Sequence, residues 1–408
     1  MTMNTVASIN TEPHQKTVYV LGAGFSIDAG GPLQSKLLEM MFKKNLNLLI
    51  TKRQKNVKQF LKGVLNVVSS KEIHQMALED LYTPIDRCLA DGISFKEKGV
   101  SDLLELRRDL DHLVSVAIRS SFGSHQGGQE YVDKFAKHIV EIASKRRDKA
   151  DLDDDGESAR IHDYLSIVSL NWDVVLDNAI FNELKRVDRE KLGPDEFEKK
   201  YARIGVVDYC CYISSVDKHD PRVKSGLWAL GSKGYNVKLL KIHGSLNWLQ
   251  CPHCQRLFTK FGDKPAVDNF EIPISCRHCK ACDLNIKLQA ALVMPTFLKD
   301  LRNFQIKLVW QNAAVELMEA TKIVFIGYSL PHADFEFRQL LSRMVRKSAK
   351  IHVVLLRGSE ENQQRAYNDA VWRYRQFFSG HEPTFDFDGV EAYVDELTAH
   401  SITEGNAL

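Results

Sequence analysis

Residues 18–32, VYVLGAGFSIDAGGP, carry the reading that decides the fold. Val18, Tyr19, Val20 and Leu21 make a short apolar, β-prone run of the kind that fills a strand buried on both faces. Gly22, Ala23 and Gly24 follow at once, and glycines there let the backbone turn sharply and let an anionic group approach the main chain. A helical pattern then covers about 33–42, with Leu33, Leu37, Leu38, Met41 and Phe42 on one side. Strand, glycine turn and helix together make a phosphate-cradling arrangement, because amides at a helix start point at the anion. The dinucleotide fingerprint is incomplete. Ile27 stands where the third glycine of G-x-G-x-x-G belongs, and no acidic residue ends a second strand ~20 positions on. A nucleotide site of another kind therefore fits better than a hydride-transferring dehydrogenase, and a plain βα turn accounts equally well for Gly22-x-Gly24 by itself.

The whole chain sets the frame. Its 408 residues can build one large domain with insertions or two domains. A net charge of +2 gives no strong pull toward nucleic acid or an acidic membrane surface, so direct nucleic-acid binding is not expected. No run is long and apolar enough to span a bilayer, and the polar start, residues 1–16, reads as a loose tail without the apolar core of a signal peptide. Five of the eight cysteines fall within 251–282, which points to metal in a reducing cytoplasm rather than to disulfides. Cys88, Cys210 and Cys211 read as small apolar residues.

Beyond the first helix, residues 43–142 read as a helical insertion. Phe60, Leu61, Val64 and Leu65 have helical spacing, as do Leu103, Leu104, Leu106, Leu110, Leu113, Val114 and Ala117. The acidic positions Glu79, Asp80 and Asp86 beside apolar ones read as helix surface charge. Residues 145–160, SKRRDKADLDDDGESA, read as a mobile charged loop. A second buried strand, 165–170 (LSIVSL), ends in Asn171-Trp172-Asp173, where an α/β sheet binds ligands. Helix capping explains Asp173 well and explains two polar residues around a tryptophan less well. A third strand, 237–242, runs into His243-Gly244-Ser245, a suitable place for a general base, although a turn histidine is the plainer reading. From 291 on, strands and helices alternate, with a strand at 322–326 ending in Gly327-Tyr328-Ser329, a plausible second wall for a nucleotide or a plain βα turn. This rhythm predicts a Rossmann-like, mostly parallel α/β sheet with helices on both faces.

Cys251-x-x-Cys254 has the form of a zinc knuckle within a ribbon module over 249–290. The second half, Cys276-Arg-His-Cys279-Lys-Ala-Cys282, offers three cysteines for two places. Cys279 and Cys282 fit best because Asp283-Leu284 continues as a ribbon strand would; Cys276 could replace either, and His253 and His278 are weaker candidates. Four thiolates close the shell around zinc, so the metal is structural.

In order along the chain, GAGFSIDAGGP, SLNWD, KIHGSLNW, a cysteine ribbon and VFIGYSLP resemble the sirtuin family over roughly residues 17–357, the insertion excepted. The resemblance implies that NAD is bound as a substrate for chemistry at the ribose–nicotinamide bond. It places Gly22, Ala23, Gly24, Phe25 and Ser26 along the phosphates and nicotinamide ribose, Asn171 and Asp173 in the nicotinamide pocket, His243 near the ribose hydroxyls, and Gly327, Tyr328 and Ser329 on the adenosine half. Two stretches depart from the protein deacylases of that family. Gly31-Pro32-Leu33-Gln34-Ser35 replaces G-I-P-D-F-R, and Val293-Met294-Pro295-Thr296-Phe297 replaces the V-x-F-G-E that helps shape the acyl-lysine tunnel. The wording N-W-D, H-G-S-L-N-W and G-Y-S-L-P is similar to divergent sirtuin-like proteins of bacterial anti-phage systems. That likeness implies an NAD+ glycohydrolase and control by a separately encoded partner such as a ring-forming HerA-type ATPase or, alternatively, an Argonaute-type protein, while the mixed charge and amphipathic faces of the 43–142 insertion suit subunit contacts in a homo-oligomer. A protein deacylase and a non-catalytic NAD or ADP-ribose sensor are the competing functions.

Overall fold

In a computed structural model of the chain, residues 15–405 are described apart from 44–46, 68, 124–127, 151–163, 199–204, 217–233, 261–273, 295, 297–298 and 300. The strands are β1 (Thr17–Leu21), β2 (Leu165–Ser169), β3 (Gly205–Asp208), β4 (Ile213–Ser215), β5 (Tyr235–Lys241), β6 (Gly244–Gln250), β7 (Leu257–Thr259), β8 (Gln289–Leu292), β9 (Lys322–Ile326), β10 (Lys350–Val354) and β11 (Thr384–Asp386). The helices are α1 (Gln34–Met41), α2 (Leu48–Gly63), α3 (Ser70–Gln75), α4 (Leu78–Asp91), α5 (Val100–Gly123), α6 (Glu130–Ala150), α7 (Val175–Glu198), α8 (Arg277–Lys280), α9 (Phe304–Glu319), α10 (Phe335–Met344), α11 (Glu361–Phe377) and α12 (Gly389–Gly405).

Seven strands form one sheet in the order β11-β10-β9-β1-β2-β5-β3, parallel throughout, so the chain is an α/β protein with a Rossmann-like sheet. β1 lies at the centre because Val18 and Val20 are fully buried and Tyr19 and Leu21 nearly so, which suits a strand covered on both faces. From β1 the chain lays down β2, then the edge strand β3 and, between those two, β5, before it returns to the other side of β1 with β9, β10 and β11. The strand order therefore reverses between β1 and β9, and a crevice opens at their carboxyl ends.

Both crevice walls are glycine turns that interlock. The Gly24 amide donates to the Gly327 carbonyl at 2.8 Å, and the Gly22 amide donates to Ile326 at 3.0 Å. A Cβ on Gly24 would lie 2.7 Å from Gly327 Cα, and one on Gly327, whose φ is +61°, would lie 2.3 Å from the Phe25 amide nitrogen. The glycines are thus required by the approach of one turn to the other, and two of the amides expected to face an anion serve that contact. The chain after Gly22 also enters a short 3-10 turn, Ala23–Ser26, rather than running directly into α1.

The helical region between β1 and β2 is not a separate module. Its buried Phe60, Leu61, Leu106 and Leu113 belong to the same continuous core as β1 and β2. Helix α2 starts where the Asn47 side chain accepts from the Leu49 and Ile50 amides, and α4 stops at Gly92 with φ +68°. α6 lies against the sheet: Phe135 packs edge-on to Tyr19 at 5.2 Å, and the Tyr131 hydroxyl donates to the Phe25 carbonyl. It is the last helix of the β1–β2 crossover, so the helical region runs past the expected end at 142. The expected loop over 145–160 is corrected in its first part, since 145–150 continue α6, while 151–160 lie outside the described residues. The tail expected over 1–16 is shorter at its inner end. Lys16 is buried, with Nζ 2.6 Å from both Glu316 and Glu319, and residues 1–14 lie outside the described residues.

Surface charge is also the wrong reading for Asp86. Arg107 Nε bonds it at 2.6 Å while another guanidinium nitrogen reaches Asp111 and the group covers the Tyr82 ring. Burial, opposed by Arg107, pushes the Asp111 carboxyl up to about 6. A second, four-stranded sheet, β4-β7-β6-β8, carries the cysteine module and draws in β4 and the start of β6 as well as residues 249–290. No helix among the described residues is long and apolar enough to cross a membrane.

Replacing Gly327 with Ala should destabilise the protein by at least about 2 kcal/mol, through the left-handed φ and the clash with the Phe25 amide. Gly380→Ala, where nothing lies within 4 Å, should stay within about 0.5 kcal/mol of the parent. Urea denaturation of the two variants checks this, and equal losses would contradict the interlocking of the turns.

Candidate active site

A cavity of about 510 Å³ opens at the strand-order reversal. Part of its wall comes from four carboxyl-terminal strand ends, and the rest from α1 and the helical region that follows it. β1 supplies Gly22, Ala23, Gly24 and Ser26; β2 supplies Leu170, Asn171, Trp172 and Asp173; β5 supplies His243; β9 supplies Gly327, Tyr328, Ser329 and Asp334. The structure therefore brings together all of the residues expected at the site except Phe25. Phe25 does not line the cavity; it is buried beneath the 3-10 turn against Tyr131 and Phe135.

Asn171 follows a strand that is buried on both faces, and it is itself buried. Its Nδ2 donates to the Gly22 carbonyl at 2.9 Å and to Ser26 Oγ at 3.3 Å, while its Oδ1 accepts from no protein group among the described residues. The side chain thus ties the β2 end to the glycine turn and leaves an acceptor for a ligand. Asp173 caps the next helix, accepting from the Val175 amide at 3.2 Å, and also lines the cavity. Burial raises its carboxyl above the ordinary range, against the pull of the Lys241 ammonium. Lys241 is completely buried: it donates to the Asp173 carbonyl and to Asp177 Oδ2 at 2.9 Å, and Asp177 in turn accepts from the Tyr209 hydroxyl at 2.7 Å.

His243 is buried, with Nδ1 3.2 Å from the Leu170 carbonyl. A carbonyl only accepts, so Nδ1 carries the hydrogen and Nε2 presents a lone pair. Burial and then the nearby Lys299 ammonium hold the imidazole down to about 4, against the opposing pull of Asp334. The ring is neutral at neutral pH.

Three site groups were not singled out from the sequence. Asp334 occupies the residue before α10, yet its carboxylate makes no capping bond. It accepts instead from Lys299 Nζ at 3.0 Å and from the Tyr328 hydroxyl at 2.9 Å. Burial alone would raise it; the pull of His243, then of the Lys299 ammonium, and these hydrogen bonds prevail, and the carboxyl lies below its ordinary range. A polar residue just beyond a strand–turn unit was the available signal, the same one that marks Asn171. Glu79, expected on a helix surface, instead lines the cavity and accepts from Gln34 Nε2 at 2.8 Å. Burial raises its carboxyl, with the Gln34 bond opposing. No local pattern marked Glu79 or Lys299, because only the tertiary fold brings α4 and the chain after β8 to this crevice.

The cysteine module is a candidate metal centre. The Sγ atoms of Cys251, Cys254, Cys276 and Cys279 all lie within 4.8 Å of one another, with Cys251–Cys279 at 3.6 Å and Cys254–Cys276 at 3.7 Å. A tetrahedron with zinc–sulfur bonds of ~2.3 Å has edges of about 3.8 Å, so the donor set and its spacing fit zinc. Leu249, Phe258 and Leu288 pack around the cysteines. Cys282, preferred above as a ligand, is exposed and outside the cluster. The reason is local: Asp283 turns with φ +60°, and the chain returns antiparallel to the segment before Cys276, whose amide donates to Ile286 at 2.7 Å. Cys276 therefore begins the second knuckle.

No protein-family model matches the chain, and none of the curated proteins matches it. Among solved structures, the chain aligns with a Sir2 mutant with a p53 peptide and NAD, at 12% identity over 96% of this chain and 94% of that one, with a TM-score of 0.32. It also aligns with Sir2 in complex with the inhibitor EX-527, 2′-O-acetyl-ADP-ribose and a deacetylated p53 peptide, at 11% identity over 95% and 94%, with a TM-score of 0.33.

Two outcomes are expected of this geometry. Metal analysis should find one zinc per chain, lost in Cys276→Ser together with thermal stability and kept in Cys282→Ser; zinc retained by Cys276→Ser would refute the assignment. For His243, the unfolded ring binds a proton near 6.5 and the folded ring only near about 4. Stability is therefore fully present above pH 6.5 and is lost as the pH falls toward 4, by up to about 3 kcal/mol from this group. Urea titrations across that window should show a shallower loss in His243→Gln, and parallel curves would contradict a neutral buried ring.

Proposed function

We propose that the chain is an NAD+ glycohydrolase, cleaving NAD to nicotinamide and ADP-ribose. One observation carries the reading. Asn171, Asp173 and His243, which end two different strands, converge with the two glycine turns on one cavity at the strand-order reversal. These are the positions that the ordered sirtuin-like motifs assign to NAD. In the reaction, the bond from C1′ of the ribose to the nicotinamide nitrogen breaks and its electron pair leaves with the ring, which departs neutral. A water oxygen bonds to C1′ and gives up one proton. The transition state has oxocarbenium character, so the protein must position the water and favour positive charge on the ribose. Asn171 Oδ1 is the acceptor that orients the water or the carboxamide. The unprotonated Nε2 of His243 anchors a ribose hydroxyl and takes up the released proton. Asp173, held over Lys241, fixes the shape of the pocket.

Water as the acceptor, rather than an acyl-lysine, is supported at Val293. Its amide donates to the His243 carbonyl at 2.9 Å, its carbonyl accepts from Trp172 Nε1 at 3.2 Å, and Val293 and Met294 are buried. Val293 opens the stretch that replaces the deacylase V-x-F-G-E, and both its backbone groups are engaged within the protein. Met76–Glu79, from the helical region, form a wall of the same cavity. Zinc, held by the four cysteines, would act as a structural brace away from this chemistry.

The wider role that the motif wording supports is that of an effector which depletes NAD in an anti-phage system, in the cytoplasm. Such an activity must be restrained. The helical region exposes Leu48, Leu49 and Leu104, which suits contacts within a homo-oligomer or with a separately encoded partner such as a HerA-type ATPase.

Asn171→Ala should abolish nicotinamide release from NAD while leaving the circular dichroism spectrum unchanged, since the side chain sits at the cavity and not in the core. His243→Ala should lower the rate by about 10²–10⁴-fold, the usual contribution of a general base. Chromatographic product analysis reads both, and full activity in a folded Asn171→Ala protein would overturn the assignment.

A further inference from the structure

The cavity wall carries three carboxylates, Asp173, Glu79 and Asp334, and no lysine or arginine among its described lining residues. Two of the three are met from behind by buried ammonium groups. Lys241 pulls on Asp173, and Lys299 Nζ donates to Asp334 at 3.0 Å. Glu79 has no such partner. Among the described residues its carboxylate makes no ion pair, and its bond to another side chain is from the neutral amide of Gln34, Nε2 to Oε1 at 2.8 Å.

The start of α4 offers some relief. Glu79 lies in its first turn, where the partial positive charge of the unpaired amides favours an anion, and its own amide bonds it. Burial outweighs these bonds, the charge of Asp334 adds to it, and the carboxyl lies above its ordinary range. Position matters as much as charge. Glu79 is half-buried, so it is open to the cavity yet partly shielded from the solvent that screens an exposed charge. Gln34 fixes it from the start of α1. The Asp334 carboxylate that acts on it stands 3.6 Å from His243, on the side where the motifs place the nicotinamide-bearing ribose. Gln34 belongs to the stretch that replaces the deacylase G-I-P-D-F-R, and Glu79 comes from the helical region, so neither is part of the ordered motifs.

A wall with one uncompensated negative charge favours a ligand that brings a positive one. We propose that Glu79 is a specificity-determining residue that selects the cationic, oxidised nicotinamide ring over the neutral, reduced one. The identity of that cation rests on the NAD reading. The ring charge is lost on cleavage, so the same carboxylate favours the substrate over both products.

The test measures, by competition, the affinities of carbocyclic NAD, which keeps the ring charge and cannot be cleaved, and of NADH. The two rings differ in shape as well as in charge, so the readout is the ratio of the two affinities in each variant relative to the wild type. Glu79→Gln keeps the size of the side chain and should weaken carbocyclic NAD roughly 10-fold while leaving NADH within about twofold, the order expected for one charge pair across a partly shielded wall. Glu79→Asp keeps the charge and should hold most of the wild-type ratio. Should Glu79→Gln fail to fold, Glu79→Ala gives the same reading. An unchanged ratio in the folded neutral variant, or an equal loss in Glu79→Asp, overturns the assignment. Nicotinamide release from NAD by the wild type is measured separately. A shifted ratio without release supports the role of Glu79 and removes the hydrolase reading, whereas release with an unshifted ratio does the reverse.

Discussion

The hydrogen bond from the Gly24 amide to the Gly327 carbonyl, and the side-chain-free contact around it, is the constraint on which the rest of the site depends. It locks the ends of β1 and β9 together at the point where the strand order reverses. Any Cβ at Gly22, Gly24 or Gly327 would fall inside the opposing main chain. With the two turns held at this distance, Asn171 can reach the Gly22 carbonyl from β2, and Tyr328 can reach Asp334 from the β9 side. The ends of β1, β2, β5 and β9, drawn from across the whole chain, are thus gathered around one space.

That space is electrostatically divided. On one side Lys241 neutralises Asp177 and pulls on Asp173; on the other Lys299 holds Asp334 in its ionised form. Both lysines are buried and each is paired, which is what permits carboxylates to remain in a wall with little water. His243 stands beside the second pair as a neutral acceptor. A cavity with a hydrogen-bond acceptor at Asn171, a neutral imidazole and an ionised carboxylate suits a substrate that brings hydroxyl donors and develops positive charge. The helical region contributes to the same wall through Glu79, so it shapes the site as well as the outer surface.

Much of this was legible in the sequence, for identifiable reasons. Parallel strands buried on both faces leave continuous apolar runs, so β1, β2 and β9 stood out within a residue or two of their ends. Polar residues directly after such runs marked Asn171, Asp173 and His243. What was missed lacked a local signature. β3 is four residues long, and β11 is a three-residue edge strand. Glu79 and Asp86 look like surface charges in a helix but are half-buried and bonded to Gln34 and Arg107, which are 45 and 21 residues away in sequence. Cys276 lost to Cys282 because a ribbon continuing through Asp283-Leu284 was assumed, whereas the chain turns there and pairs back. The glycine turn was read as a cradle for an anion, and its glycines answer first to another turn of the same protein.

The central claim is that water, and no peptide, receives the ADP-ribosyl group. Incubating the purified protein with NAD in ¹⁸O-labelled water, with and without an acetyl-lysine peptide, and weighing the products by mass spectrometry tests it directly. The expected result is equal amounts of nicotinamide and singly labelled ADP-ribose, with the peptide unchanged and without effect on the rate. Nicotinamide release that requires the peptide and yields an acetylated ADP-ribose would contradict it.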